Sequence, residues 1–256
     1  MPGTYNDALL NDFAIRSFRD MADRDYIHAR MAFKARLVPQ FQWSALHSLE
    51  KYAKGILLLN RIPAKSLRHE VTGALKLLEE AGRFKASLSE QTIKFIERLE
   101  DGAAFRYFEV SYSSHAFDVI RLDCAVSELR RYCQVLDWEI DTDHGRRNLL
   151  QPMLNRIESA ASSAHRDTCI MNGWLEGILR KADHPARAHL VWKNLYFGPS
   201  KRQSIRMVGY TESGNAPLYL HPEIIEEVVK YVFMPKSIAQ MWREHLIQRK
   251  AEAGDA

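Results

Sequence analysis

Apolar residues recur at intervals of three and four along most of the first 140 positions, so the chain reads as a succession of amphipathic helices. Leu9, Leu10, Phe13 and Met21 follow Asn6 and Asp7, either of which can cap, and predict a first helix over about 7–22. A second starts near Asp23 and carries Tyr26, Ala29, Phe33 and Leu37 up to Pro39, whose missing N–H stops it. Trp43, Leu46, Leu49, Ala53, Ile56 and Leu57 mark a third, which ends at the Asn60-Arg61-Ile62-Pro63 turn. The fourth opens near Ser66, with Val71, Leu75 and Leu78 inward and Gly82 just past its end. Ser87 and Glu90 have capping-box spacing ahead of Ile93, Ile96 and Leu99, the stripe of a fifth. The aromatic, partly alternating stretch 105–112 predicts an extended connection. Phe117, Ile120, Ala125, Leu129, Cys133 and Leu136 then restore a helical stripe.

Beyond the Asp141-Thr142-Asp143-His144-Gly145 turn the pattern changes. One or two helices fit about 147–181, and the runs 190–197, 205–210 and 218–220 are short and strand-like, with Ser213-Gly214-Asn215 a hairpin turn between the last two. Pro222 opens a helix over 223–234, Pro235 ends it, and an amphipathic helix runs to about Lys250. The expected architecture is mainly α: a helical bundle over 1–143, followed by a smaller α+β region over 144–256 packed on it.

Composition narrows the class without naming a function. With 46% hydrophobic and 27% charged residues the chain is an ordinary globular one rather than a disordered or disulfide-scaffolded one. The strongest apolar run, 55–59, is far short of the roughly 20 residues of a membrane helix, so no membrane association is expected. Cys124, Cys133 and Cys169 form no CxxC, and the opening residues carry no secretory signature, which together predict a cytoplasmic protein. His184 and His189 lack a third ligand nearby, and neither a P-loop, a dinucleotide fingerprint nor a nucleophile elbow is present. Neither metal nor cofactor is therefore expected.

Charge matters locally. Lys+Arg number 36 against 32 Asp+Glu, a net +4 too small to imply nucleic acid by itself. Two stretches, however, contain no acid at all. The first, 51–69, holds Lys51, Lys54, Arg61, Lys65, Arg68 and His69, and the start of the following helix would add free N–H groups that favour phosphate. The second, 184–211, interleaves Arg187, Lys193, Lys201, Arg202 and Arg206 with Trp192, Tyr196, Phe197 and Tyr210, the composition of a single-strand nucleic-acid groove. Both also fit a solvated rim around apolar positions. Glu50 and Lys54, four apart, fit either a helix-surface ion pair or a binding pair.

The run Asp25-Tyr26 to Ala29-Arg30, the helix His47-Ser48-Leu49-Glu50-Lys51-Tyr52-Ala53-Lys54-Gly55, and Arg68-His69-Glu70-Val71 ahead of Ala74-Leu75-Lys76-Leu77-Leu78 resemble a HEPN domain over about residues 20–140. The resemblance implies an up-and-down bundle that commonly forms homodimers. It also implies membership of either a metal-independent ribonuclease group or a group of non-catalytic protein partners associated with nucleotidyltransferases or defence systems. On the first branch the substrate is RNA or a nucleotide, His69 is the acid/base, and Arg61 or Arg68 stabilises the phosphate charge. That branch carries an arginine followed closely by a histidine, whereas here seven residues separate Arg61 from His69, three separate Arg24 from His28, and eight separate Arg106 from His115.

Overall fold

A computed structural model describes residues 5–67, 69–102, 109–143, 145–162, 171–198, 202 and 204–254. Two sequence-predicted site residues, Arg68 and Lys201, lie outside the described residues, as do Arg106, Cys169, His144 of the expected turn, and most of the aromatic stretch before residue 109.

The protein is mainly α, as its periodicity predicts. Helix α1 (Tyr5–Ala14) runs through a π-helical turn (Ile15–Arg19) into α2 (Asp20–Lys34), where the sequence suggests a break near residue 22. The turn passes close over the next long helix, α3 (Val38–Leu59). A Cβ on Gly55 would approach Phe18 Cβ at 3.1 Å, so glycine there permits the close crossing. Helix α2 ends at Lys34, before a left-handed Arg36, rather than at Pro39, which instead sits in the first turn of α3, the placement its fixed φ favours.

Tyr26, Ala29 and Phe33 of α2 are buried against Phe41, Ala45, Leu49 and Tyr52 of α3. Around this pair lie α4 (Val71–Glu80), α5 (Glu90–Asp101) and α6 (Asp118–Arg130). Ser89 caps α5, its hydroxyl accepting from Thr92 N at 3.3 Å. Helix α4 begins at Val71 rather than near Ser66 because its cap comes from elsewhere. Glu100 of α5 accepts from the Val71 and Thr72 amides, the latter at 2.9 Å, and from the Thr72 hydroxyl at 2.7 Å.

The later chain contributes β2 (Glu139–Thr142) and β3 (Gly145–Asn148), an exposed hairpin around the turn at 143, then α7 (Leu150–Ser162), α8 (Trp174–Arg180) and α9 (Arg187–Val191). Ile157, Leu175, Ile178 and Leu190 join the same core as α2 to α6. A smaller core holds Ala216, Leu218, Ile225, Ala239 and Trp242, from α10 (Pro217–Leu220), α11 (Ile225–Tyr231), α12 (Lys236–Gly254) and the residue before α10.

The strand pattern differs from expectation. Residues 205–210 have no regular structure, 218–220 are helical, and Ser213 and Gly214 sit in a strand, β4 (Thr211–Gly214), rather than a hairpin turn. Its partner is β1 (Tyr112–His115), antiparallel with Ser113 opposite Ser213. Alternation marks a strand but does not identify a partner about a hundred residues away. Similarly, 190–197 is the end of α9 and a loop organised by Asn194, whose Oδ1 accepts from Tyr196 N and Phe197 N at 2.9 Å. Among the described residues no helix is long and apolar enough to cross a membrane.

Arg30 and Arg130 are the most deeply buried arginines among the described residues. Arg130 makes paired hydrogen bonds to Asp23 at 2.7 and 2.9 Å and to Glu176 at 2.6 and 2.9 Å. Tyr52 donates to the same Asp23 at 2.5 Å. Arg30 pairs with Asp123 and donates to the carbonyl oxygens of His189, at 2.9 Å, and Trp192. Tyr26 donates to Asp123 at 2.6 Å and accepts from the Asn194 amide at 2.8 Å.

Candidate functional site

Residues 43, 47, 50, 51 and 54 follow one another at helical spacing, so they share one face of α3. The connection before α4 brings His69 onto that face, its position fixed because Glu100 anchors the helix start two residues later. His69 Nδ1 lies 3.0 Å from Glu50 Oε2, while Lys54 Nζ donates to Glu50 Oε1 at 2.6 Å. Trp43 packs against the His47 ring at 4.0 Å between centroids and against His69 at 5.8 Å, and the two imidazoles stack at 5.9 Å.

Burial alone would raise the Glu50 carboxyl, but hydrogen bonds and positive charge from Lys54 and His69 outweigh it and hold the carboxyl below its ordinary value. Burial pushes the His47 imidazole down. The arrangement is therefore an ionised carboxylate that orients a half-exposed imidazole, flanked by a second imidazole and an indole.

Three cations of the first acid-free stretch are matched by acids from outside it. Lys51 pairs with Asp25 of α2, Lys54 with Glu50, and Arg61 with Asp7 of α1 at 3.1 Å. Arg61 also donates to the Leu58 carbonyl at 3.1 Å and closes α3 at φ 59°, a left-handed conformation usually left to glycine. Within one chain Arg61 and His69 thus engage separate carboxylates on α1 and on the middle of α3.

The second stretch is built differently. Arg187 donates to the Leu179 carbonyl at 3.3 Å, and Arg202 to those of Val191 at 2.6 Å and Asn194 at 3.3 Å. Lys193 Nζ lies 5.4 Å from the Trp192 ring centroid, and Lys34 at the end of α2 approaches the same ring at 5.7 Å. Arg36 lies 4.8 Å from the Tyr210 ring. Arg206 is exposed nearby in sequence. Partial burial and the neighbouring Glu212 and Asp118 raise the Tyr210 hydroxyl, with Arg36 pulling the other way. Arg36 and Lys193, at φ 58° and 44°, share with Arg61 the left-handed conformation, so two cations of this surface occupy strained positions.

The fold therefore adds residues the sequence did not single out. His47 lies three before Glu50, a spacing that puts both on one turn, yet nothing local indicates that His69 joins them. Lys34 lies 158 residues before Trp192 and Arg36 174 before Tyr210 in the chain, and only tertiary structure brings them together. Comparison with known protein families, curated proteins and solved structures returned no significant match.

Proposed function

We propose that the protein binds RNA or a nucleotide through the surface formed by Lys34, Arg36, Trp192, Lys193 and Tyr210, on a HEPN-like helical bundle. The observation that carries this reading is the convergence of three cations from two distant segments on two partly exposed rings. Cations track phosphates, and aromatic faces stack on bases at about 1–3 kcal/mol each. Two of those cations sit in a conformation that a glycine would adopt with less strain, which supports a role for the side chains themselves.

Fluorescence anisotropy with a short mixed-sequence RNA tests the proposal. Affinity should fall steeply with salt, and Trp192→Ala should weaken it. A flat salt dependence or unchanged affinity in that variant rejects it.

A catalytic extension is favoured by the Glu50–His69 hydrogen bond. With Nδ1 directed at the carboxylate, Nε2 is the basic nitrogen, able to take a 2′-hydroxyl proton or protonate a leaving oxygen, with Lys54 supplying positive charge beside it. RNA cleavage in chelator that is lost in His69→Gln and Glu50→Gln, while RNA binding persists, is the expected result. Cleavage surviving both substitutions would remove these residues from the reaction.

A further inference from the structure

His47 and Glu50 stand one turn apart on α3, and the connection before α4 returns His69 to them, so that a ligating atom from each lies within 4.8 Å of the others. We propose that His47, Glu50 and His69 form a binding site for a divalent transition-metal ion of the zinc class. Two imidazoles and one carboxylate suit Zn2+ and Co2+, whereas Mg2+ and Ca2+ seek oxygen ligands.

The distances are close to what such an ion needs. With metal–ligand bonds of about 2.0 Å, ligands of a tetrahedral ion stand roughly 3.3 Å apart. No separation among the three ligating atoms exceeds 4.8 Å, so none needs to contract by more than about 1.5 Å.

The surroundings hold the ligands in place. Trp43 packs on both imidazoles, α3 fixes the spacing of His47 and Glu50, and Glu100 anchors the chain just beyond His69. Lys54 occupies the other oxygen of Glu50 and leaves Oε2 facing His69, although its charge lowers the affinity for a cation. Three protein ligands leave a fourth position for water.

This assignment rests on side-chain geometry and not on RNA binding. An ion held by Glu50 and His69 replaces the hydrogen bond between them, so metal occupancy and the metal-free acid/base pair are mutually exclusive states of one cluster.

The test is Co2+ titration of the full, tag-free chain after chelator treatment, followed by visible absorption and tryptophan fluorescence. One equivalent of Co2+ should give the absorption of a tetrahedral site, Zn2+ should displace it, and Trp43 emission should be quenched. Trp43→Phe, which keeps an aromatic ring in the site, should lose most of that quenching. His47→Ala and His69→Ala should each weaken binding about tenfold or more, with His69→Gln as a second variant on the connection outside the helices. Circular dichroism and metal-free melting establish that each variant is folded. Absence of the tetrahedral absorption, or binding that survives loss of both histidines, overturns the proposal. RNA anisotropy on the same metal-free samples is read separately, so that failure of either reading leaves the other intact.

Discussion

Two stretches of this chain look alike as sequence and differ in the folded molecule. Residues 51–69 and 184–211 are each long, basic and free of acids. In the first, Lys51, Lys54 and Arg61 face Asp25, Glu50 and Asp7. In the second, Arg187 and Arg202 face main-chain carbonyls, while Lys193 faces an indole that also receives Lys34. The α3 face is therefore locally neutralised, and its distinguishing chemistry is the His47, Glu50, His69 cluster. The surface around Trp192 retains its positive charge. An acid-free window in sequence describes only neighbours along the chain, and the field a ligand meets depends on which acids the helices carry to that place.

The largest effect should come from a cation that depends wholly on its carboxylates. Arg130→Ala leaves Asp23 and Glu176 buried without their partner and should cost about 3–5 kcal/mol, read as a loss of urea midpoint. The same pairing sets a pH dependence. Burial by itself would raise the Glu176 carboxyl, but the Arg130 hydrogen bonds hold it below its ordinary value near 4.5. Its folded value lies below its unfolded one, so its stabilisation is complete well above pH 4.5 and is lost as pH falls through that value and below. Glu176→Gln should flatten the midpoint-against-pH curve in that acid range, and an unchanged slope would contradict the assignment.

The two basic regions should separate cleanly in RNA binding. Reversing Lys34 and Lys193 together to glutamate should weaken affinity about tenfold or more and reduce the salt slope by about 2, whereas Lys51→Gln should change affinity by less than about twofold. Equal losses from both would erase the distinction drawn between the regions.

Smaller effects are expected where cations close helices. Arg61→Gly relieves about 1 kcal/mol of left-handed backbone strain while losing an exposed pair worth at most about that much, so it should melt above Arg61→Ala. Arg36→Gly should gain only about 0.5–1 kcal/mol in stability while weakening RNA binding. That opposition of stability and binding would mark Arg36 as retained for its charge.

Much of the fold is legible in the chain because helices declare themselves locally. The cap of α5 falls two residues from its expected place, at Ser89 rather than Ser87, while the stripe Leu46, Leu49, Ala53, Ile56 depends on neighbours a few residues away and appears in the structure. The beginning of α4 does not, because Glu100, from the next helix, supplies its cap. Nor does β4, whose partner β1 lies about a hundred residues earlier. The candidate site divides in the same way. Glu50 and Lys54 form the i,i+4 pair their spacing allows, and His47 could be placed on the same face. What spacing could not supply is the return of His69 to Glu50, the withdrawal of Arg61 toward Asp7, or the approach of Lys34 to Trp192. Each is fixed by how helices cross, which is decided by packing rather than by sequence distance.

The Arg30 side chain ties the timing of folding to the far part of the chain. Its guanidinium sits at the centre of the helical bundle, but two of its acceptors are the carbonyls of His189 and Trp192. A ribosome delivers α2, α3 and α6 well before those residues emerge. Until they arrive, Arg30 has Asp123 but lacks both carbonyls, and a fragment ending near residue 143 would remain in that condition permanently. Completion of the bundle's interior is thus a late event in synthesis, and the stretch 189–194 acts as its closing piece.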